Sequence, residues 1–464
     1  MSDFLLIMKN ELVITFIIFL LLFIKLGKGM KNESLLSLIQ FLLLLNVGQG
    51  FTFSEGNLFG NMFTNTEQIA FEKNILNLGV YLISLFGAAW LKQHKHLPEF
   101  FILMLSALLG MNFLISSGNL LMFYLALELS SIPVAAMANF DLEKKISSEA
   151  AMKMILSSAF SSGILLFGIS LIYGATGTIN FAELPLALSQ EGTLPILAFV
   201  FFFSAFAFKL SVVPFHLWTA DVYEGSPVAV TSFLSVISKG SVAFIFISVL
   251  YKVFSPLQHM WYNMLVLLSI ATMVTGNLFA LRQQNLKRFL AFSSIAQVGF
   301  ILFGISGTSI EAQTAIIYFV LVYVFSNLAA FGVISIVSSA TGRETISDFK
   351  GFYQHNKFLS WVLALALFSL AGVPPTAGFF GKLFLILAGA KEAYLWFLVI
   401  AALNLVVSLY YYLKVVRAIF MDKNDNPIEK INIGASEKLG LIICSAGIVL
   451  AGLLSWIYQY IAGL

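Results

Sequence analysis

Apolar residues along this 464-residue chain come in long unbroken blocks, separated by short stretches of charge or by Gly, Pro and Asn, not in the three-to-four spacing of an amphipathic helix. Blocks of roughly 20 apolar residues match about 30 Å of hydrocarbon, which makes this a polytopic membrane protein. Fourteen blocks qualify: 4-24, 35-51, 75-91, 97-115, 119-139, 150-174, 195-218, 228-251, 262-281, 289-307, 312-338, 359-388, 392-413 and 439-461. The first is too long for a signal-peptide core and is followed by no small-x-small site, so it is expected to stay as the first span.

The loops between blocks alternate in charge. With the N terminus outside, eighteen Lys and Arg fall on one side, and four (Lys9, Lys73, Lys252 and Lys391) on the other. The positive-inside rule then places the eighteen in the cytoplasm and both termini outside. The charges left inside the spans are Lys153, Lys209, Lys239, Lys382 and Glu128.

A charge at mid-membrane costs about 3 kcal/mol or more, and such residues usually face a bundle interior or water and carry function. Near a helix end, snorkelling is the simpler reading. Lys239 is eleven residues past Val228, roughly 16 Å along a helix and out of snorkelling reach. Lys209 and Glu128 are nine or more residues from either end of their spans. Lys382 is a turn or two from its end, and Lys153 follows Glu149 at i, i+4, the spacing of an ordinary interfacial pair. Burial favours neutral lysine while a carboxylate favours the ammonium, so a lysine whose acid partner moves becomes a proton switch. Ser204, Ser211, Thr231, Ser235 and Ser238 flank Lys209 and Lys239, as water-holding groups or as ordinary small residues of helix packing.

Two spans contain prolines, in "KLSVVPFH" (Pro214) and "SLAGVPPTAG" (Pro374, Pro375). Proline frees backbone carbonyls that lipid does not satisfy and a polar cavity does. The breaks are five spans apart, and an odd number of spans reverses orientation. Spans 4-8 and 9-13 are therefore expected to be two five-helix inverted repeats, each with a broken fourth helix, as in transporters. The fold class expected is all-α with 14 transmembrane helices. Its divisions are an N-terminal three-helix segment (1-96), two repeats (97-252 and 262-420) and a C-terminal helix (437-464). His216 is seven residues beyond Lys209, on the same face if the helix resumes, and is a candidate relay. Asp221 and Glu224 are read as a solvated cytoplasmic loop.

With 59% hydrophobic and 11% charged residues there is too little polar surface for a soluble domain, and a formal charge of +3 implies no nucleic-acid partner. The lone Cys444 provides neither disulfides nor a thiolate set for iron-sulfur clusters or zinc. "GKGMKN" fails the dinucleotide fingerprint, no Walker motif is present, and "HKHLPE" (His94, His96, Glu99) reads as a loop before a helix more readily than as a chelate. The drive must come from an ion gradient or from partners.

"FKLSVVPFHLWTADVYEGSP", "SFLSVISKGSVAF", "LRQQNLKRFLAFSSIAQVGF" and "SLAGVPPTAGFFGKLFL" resemble the antiporter-like membrane subunits of respiratory complex I, from about Glu128 to Tyr412. The resemblance implies that Glu128 pairs with Lys209, that Lys239 joins two half-channels and that Lys382 ends a hydrophilic axis; Lys153 matches a sixth-helix lysine of the family and is a candidate relay. It further implies coupling of NADH:quinone electron transfer to outward proton movement. NADH, FMN, iron-sulfur clusters and quinone would be bound by partner subunits, and the neighbours would be other membrane subunits, including related antiporter-like ones. A multisubunit Na+/H+ antiporter is the alternative.

Overall fold

The computed structural model describes residues 2–27, 29–189, 192–307, 309–390 and 394–464, so Lys28 and Lys391 of the loop charge pattern lie outside the described residues. The main helices are α1 (Lys9–Leu26), α2 (Asn32–Gln49), α3 (Glu67–Phe86), α4 (Leu97–Ile115), α5 (Leu120–Ala138), α6 (Lys145–Thr176), α7 (Thr193–Leu210), α8 (Leu217–Gly225) and α9 (Val228–Lys252). They continue with α10 (Gln258–Ala280), α11 (Leu286–Ile305), α12 (Ser309–Thr341), α13 (Lys357–Ala371), α14 (Ala377–Ala390), α15 (Leu395–Phe420), α16 (Ala435–Leu453) and α17 (Trp456–Ala462). Side-chain caps start several of them. Asn119 accepts from the Met122 amide of α5 at 2.7 Å, and Asn285 from the Lys287 and Arg288 amides of α11.

Eleven of the described helices are long and apolar enough to cross a membrane. The fourteen expected spans include three that this criterion does not reach. α1 and α2 are 18 residues each, but α1 contains Lys9, Glu11 and Lys25, and α2 begins Asn32-Glu33 and contains Gln40 and Asn46. The expected span 359-388 is two shorter helices, α13 and α14. One element is not helical. An antiparallel hairpin of β1 (Gly56–Leu58) and β2 (Phe63–Asn65) joins α2 to α3, where the expectation was all-α.

α9, α11 and α12 are almost wholly buried and form the interior, whereas α6, α15 and α16 bury only about a third of their apolar windows (33%). α6 turns Ile155, Leu156 and Phe160 outward, which a bilayer or a partner accommodates without cost. Part of α9, Phe233–Ser238, is wound as a π-helix ending at Lys239; such turns shift side-chain direction and recur at functional sites.

The two broken spans share one backbone pattern. α7 ends with Ser211 in the left-handed region (φ 66°), and α13 ends with Gly372 there (φ 84°). The next amide closes a wide turn in each, Val212 N to Ala207 O at 2.8 Å and Val373 N to Phe368 O at 3.0 Å. Cis peptides follow at Val213-Pro214 and Pro374-Pro375. Helix therefore stops before the prolines, which lie in irregular segments leading to α8 and α14.

Candidate functional site

Lys209, Lys239 and Lys382 are buried, at 8%, 4% and 3% exposure. Among the described residues, none of the three has a carboxylate oxygen within 4.0 Å. Each ammonium is held by neutral oxygen. Lys209 Nζ donates to the Ser131 hydroxyl of α5, which in turn donates to Leu127 O at 2.5 Å. Glu128, in the same turn, is half-buried; its Oε1 is enclosed without a hydrogen-bond partner. The expected Glu128–Lys209 contact is thus open here, with the hydroxyl of Ser131 as the lysine's partner.

Lys239 extends from the end of the π-helix to Ser294 Oγ of α11 at 2.8 Å and has the Tyr223 ring 5.5 Å away. Lys382 reaches back across the second break to the carbonyls of Leu370 (2.7 Å) and Ala371 (3.4 Å). These are the last residues of α13, whose carbonyls have no helical partner and carry the negative end of the helix dipole. A lysine is therefore the cap that this helix end lacks.

A polar line joins Lys239 to Lys382. Next to Ser294, Ser293 is hydrogen-bonded to the Tyr412 hydroxyl. Gln297, one turn along α11, donates to Tyr412 Oη at 3.4 Å and to Leu370 O at 3.1 Å, the carbonyl that takes Lys382. Hydroxyls and one amide, with a single step along the backbone, span the distance between two buried amines. The hydroxyls can both give and accept a hydrogen bond, whereas the Gln297 amide donates at both of its contacts and Leu370 O accepts from both Gln297 and Lys382. Between Lys209 and Lys239 no continuous hydrogen-bonded line runs among the described residues; the Tyr223 hydroxyl interacts with Ser294 and Ser235, and His216 with the Pro214 backbone.

The structure revises three sequence readings. His216 does not share a helical face with Lys209, because α7 ends at Leu210 and His216 caps α8 beyond the break. Asp221 and Glu224 are not merely solvated. Arg288 of α11 bonds Asp221 at 2.6 Å and Glu224 at 2.9 Å, while Lys153 of α6 contacts Asp221 and Glu149 at 2.7 Å each. Burial pushes the Asp221 carboxyl upward, and the hydrogen bonds from Lys153 and Arg288 outweigh it, so the group titrates below the usual carboxylate range. Glu128 is also not the sole acid buried in a span, since Glu11 of α1 meets Lys73 of α3 at 2.7 Å. That pairing was legible in principle, because Glu11 falls within the block 4-24.

Ser131, Ser294, Gln297 and Tyr412 were not singled out in the sequence. Isolated hydroxyls in apolar helices look the same whether they pack or relay. At "HKHLPE", His96 and Glu99 are 3.4 Å apart and Lys25 takes Glu99 at 2.7 Å. Among the described residues no group of three or more His, Cys, Asp or Glu is arranged to hold a metal.

The sequence profile of the NADH:quinone oxidoreductase/Mrp antiporter, TM family matches residues 117–408, which include all three buried lysines and both breaks. An NADH-quinone oxidoreductase subunit N from Azobacteroides pseudotrichonymphae is 48% identical over 411 residues, covering 88% of this chain and 85% of that one. Another, from Phocaeicola vulgatus, is 46% identical over 414 residues, covering 88% and 87%. A chain of respiratory complex I from Thermus thermophilus superposes with a TM-score of 0.83 at 27% identity, covering 97% of this chain and 98% of its own. The chain belongs to the NADH:quinone oxidoreductase/Mrp antiporter family of membrane subunits, within its subunit N branch.

Proposed function

We propose that this chain is a proton-translocating membrane-arm subunit of respiratory complex I. It couples NADH:quinone electron transfer in partner subunits to proton movement from the cytoplasm outward. The observation that carries the reading is the polar line from Lys239 through Ser294, Ser293, Tyr412 and Gln297 to the carbonyl that binds Lys382. Burying amines without counter-ions is costly, and such residues inside a membrane protein usually carry function. Moving a charge against 100 mV takes about 2.3 kcal/mol, so the coupling must be energetic and arrive from partners.

On this reading Glu128, Lys209, Lys239 and Lys382 form the transfer axis. Lys153 is tied to it through Asp221, and His216 lies at the break beside Pro214. The matching turns at Ser211 and Gly372, before Pro214 and Pro375, support two inverted repeats within 97-252 and 262-420, the N-terminal segment 1-96 and the C-terminal helix 437-464 flanking them. Fourteen spans with both termini on the outer face follow, on this reading, from the apolar blocks and the loop charges. NADH, FMN, iron-sulfur clusters and quinone belong to partner subunits. A Na+/H+ antiporter subunit shares the axis, but the names of the similar chains favour complex I. Sealed membranes with Lys209→Ala are expected to oxidise NADH with reduced proton pumping at any sodium level. Full pumping would refute the assignment, and strict sodium dependence would favour the antiporter.

A further inference from the structure

The first break is held by side chains at three points. Its wide turn, closed between Ala207 O and Val212 N, encloses Lys209. Trp218 of α8 donates its indole N–H to Phe208 O in that turn at 3.1 Å, and the Thr219 hydroxyl donates to Ser211 Oγ at 2.6 Å. Both come from the helix just past the break. The third contact is distant in sequence: the Val213 amide donates to Thr272 Oγ1 of α10 at 3.2 Å. Thr272 is fully buried, on the first helix of the second proposed repeat.

Matching the two left-handed residues, Ser211 and Gly372, puts Val212 opposite Val373, Val213 opposite Pro374 and Pro214 opposite Pro375. Pro374 has no backbone N–H, so of the two breaks the first alone leaves a donor at this position. Inside a span no bulk water satisfies an amide, and the fold meets this one with a hydroxyl from the other repeat. Valine, of similar volume, would fill the same space on α10 without accepting the bond.

The turn that carries Thr272 also lies directly on α11. A Cβ on Gly299 would be 2.8 Å from Met273 N, and Ser269 Oγ donates to Gly299 O at 2.8 Å. Gly299 is two residues from Gln297 and five from Ser294. One hydroxyl therefore joins the backbone beside Lys209 to the pair of helices that carries the polar line.

We propose that Thr272 is a positioning residue for Lys209. It fixes where the first break closes, and the Ala207–Val212 turn passes that placement to the lysine and its bond with Ser131. No continuous hydrogen-bonded line joins Lys209 to Lys239 among the described residues, and Thr272 ties these two parts of the axis through backbone instead.

The inference rests on the proton-translocation reading above, and the test separates the two. Whole complexes carrying Thr272→Val, Thr272→Ser, Val213→Pro or Lys209→Ala are reconstituted in sealed vesicles, and protons moved per NADH oxidised are measured. Val213→Pro removes the donor without stranding it, and Pro374 at the matching position shows that this backbone accepts proline. The expected result is a reduced ratio in Thr272→Val and in Val213→Pro, with Thr272→Ser, which keeps the acceptor, near wild type. A full ratio in Thr272→Val or Val213→Pro, beside a reduced one in Lys209→Ala, overturns this inference alone; if only Val213→Pro is full, the loss in Thr272→Val comes from a stranded amide. A ratio in Thr272→Ser as low as in Thr272→Val makes the residue a packing group and overturns it too. A full ratio in Lys209→Ala overturns the translocation reading and this inference with it. If Thr272→Val does not assemble, Val213→Pro decides by the same two outcomes.

Discussion

Lys382 donates to the carbonyl of Leu370, 2.7 Å away and twelve residues earlier in the chain, across the break between α13 and α14. The lysine thus has two duties, ending one polar line and satisfying a helix terminus. Without the lysine, Leu370 O keeps its bond from Gln297 (3.1 Å), but Ala371 O, buried and reached by Lys382 at 3.4 Å, loses its side-chain donor. Leaving a buried carbonyl unpaired costs about 1–3 kcal/mol. Lys382→Met is therefore expected to lower the thermal stability of the purified complex as well as its pumping, whereas Lys239→Met, whose partner Ser294 retains its bond to Ala291 O (2.8 Å), lowers pumping with less effect on stability. Equal melting temperatures for the two variants would contradict this.

Ser294 is the hydroxyl that Lys239 reaches, at 2.8 Å. A hydrogen bond to a charged group is worth about 1.5–3 kcal/mol, enough for about tenfold or more in a rate that depends on it. Ser294→Ala is expected to slow proton translocation by that order while Ser294→Thr largely retains it, as read by acidification in sealed vesicles. An unchanged rate in Ser294→Ala would remove this serine from the path.

Gly110 of α4 is packed against the backbone of α5, and a Cβ there would be 2.5 Å from Ser130 N and 2.9 Å from Ser130 Cα. Backbone cannot yield as a side-chain tip does. Overpacking of this kind costs about 1–3 kcal/mol, and here it displaces the residue next to Ser131, the partner of Lys209. Gly110→Ala should reduce both thermal stability and pumping; a complex matching the wild type in both would show that α4 and α5 separate freely.

Asp221 links α8, just beyond the first break, to α6 and α11 through Lys153 and Arg288. Its carboxyl titrates below the usual range, burial opposing and the two hydrogen bonds prevailing. A depressed folded-state value means that the linkage is complete above the unfolded carboxylate value, about 3.9, and is lost as pH falls through the lower folded value. Asp221 and Arg288 are about a third exposed and Lys153 more so (41%), so solvent screening limits the effect to the order of 1 kcal/mol. The stability gap between wild type and Asp221→Asn should be constant near neutrality and close only in strong acid. A gap that closes above the usual carboxylate range would contradict the assignment.

The membrane class, the three deeply buried lysines and both broken helices were legible in the sequence because each is a local violation of an apolar pattern. A lysine eleven residues into a block, or a proline within one, needs no tertiary knowledge to stand out. What joins them was not legible. Tyr412 and Gln297 belong to helices whose faces meet only in the fold, and the change of direction at Ser211 removes His216 from the face that sequence spacing gave it. The acidic turn at Asp221 looked solvated because its partners, Lys153 and Arg288, are 68 residues before it and 67 after it.

Protons moved per NADH oxidised by sealed vesicles carrying the Lys239→Met complex, at matched electron-transfer rates, test the central claim most directly. A ratio clearly below wild type is expected, because Lys239 starts the polar line and, among the described residues, no other ammonium reaches Ser294. A wild-type ratio would mean that protons do not pass through this axis.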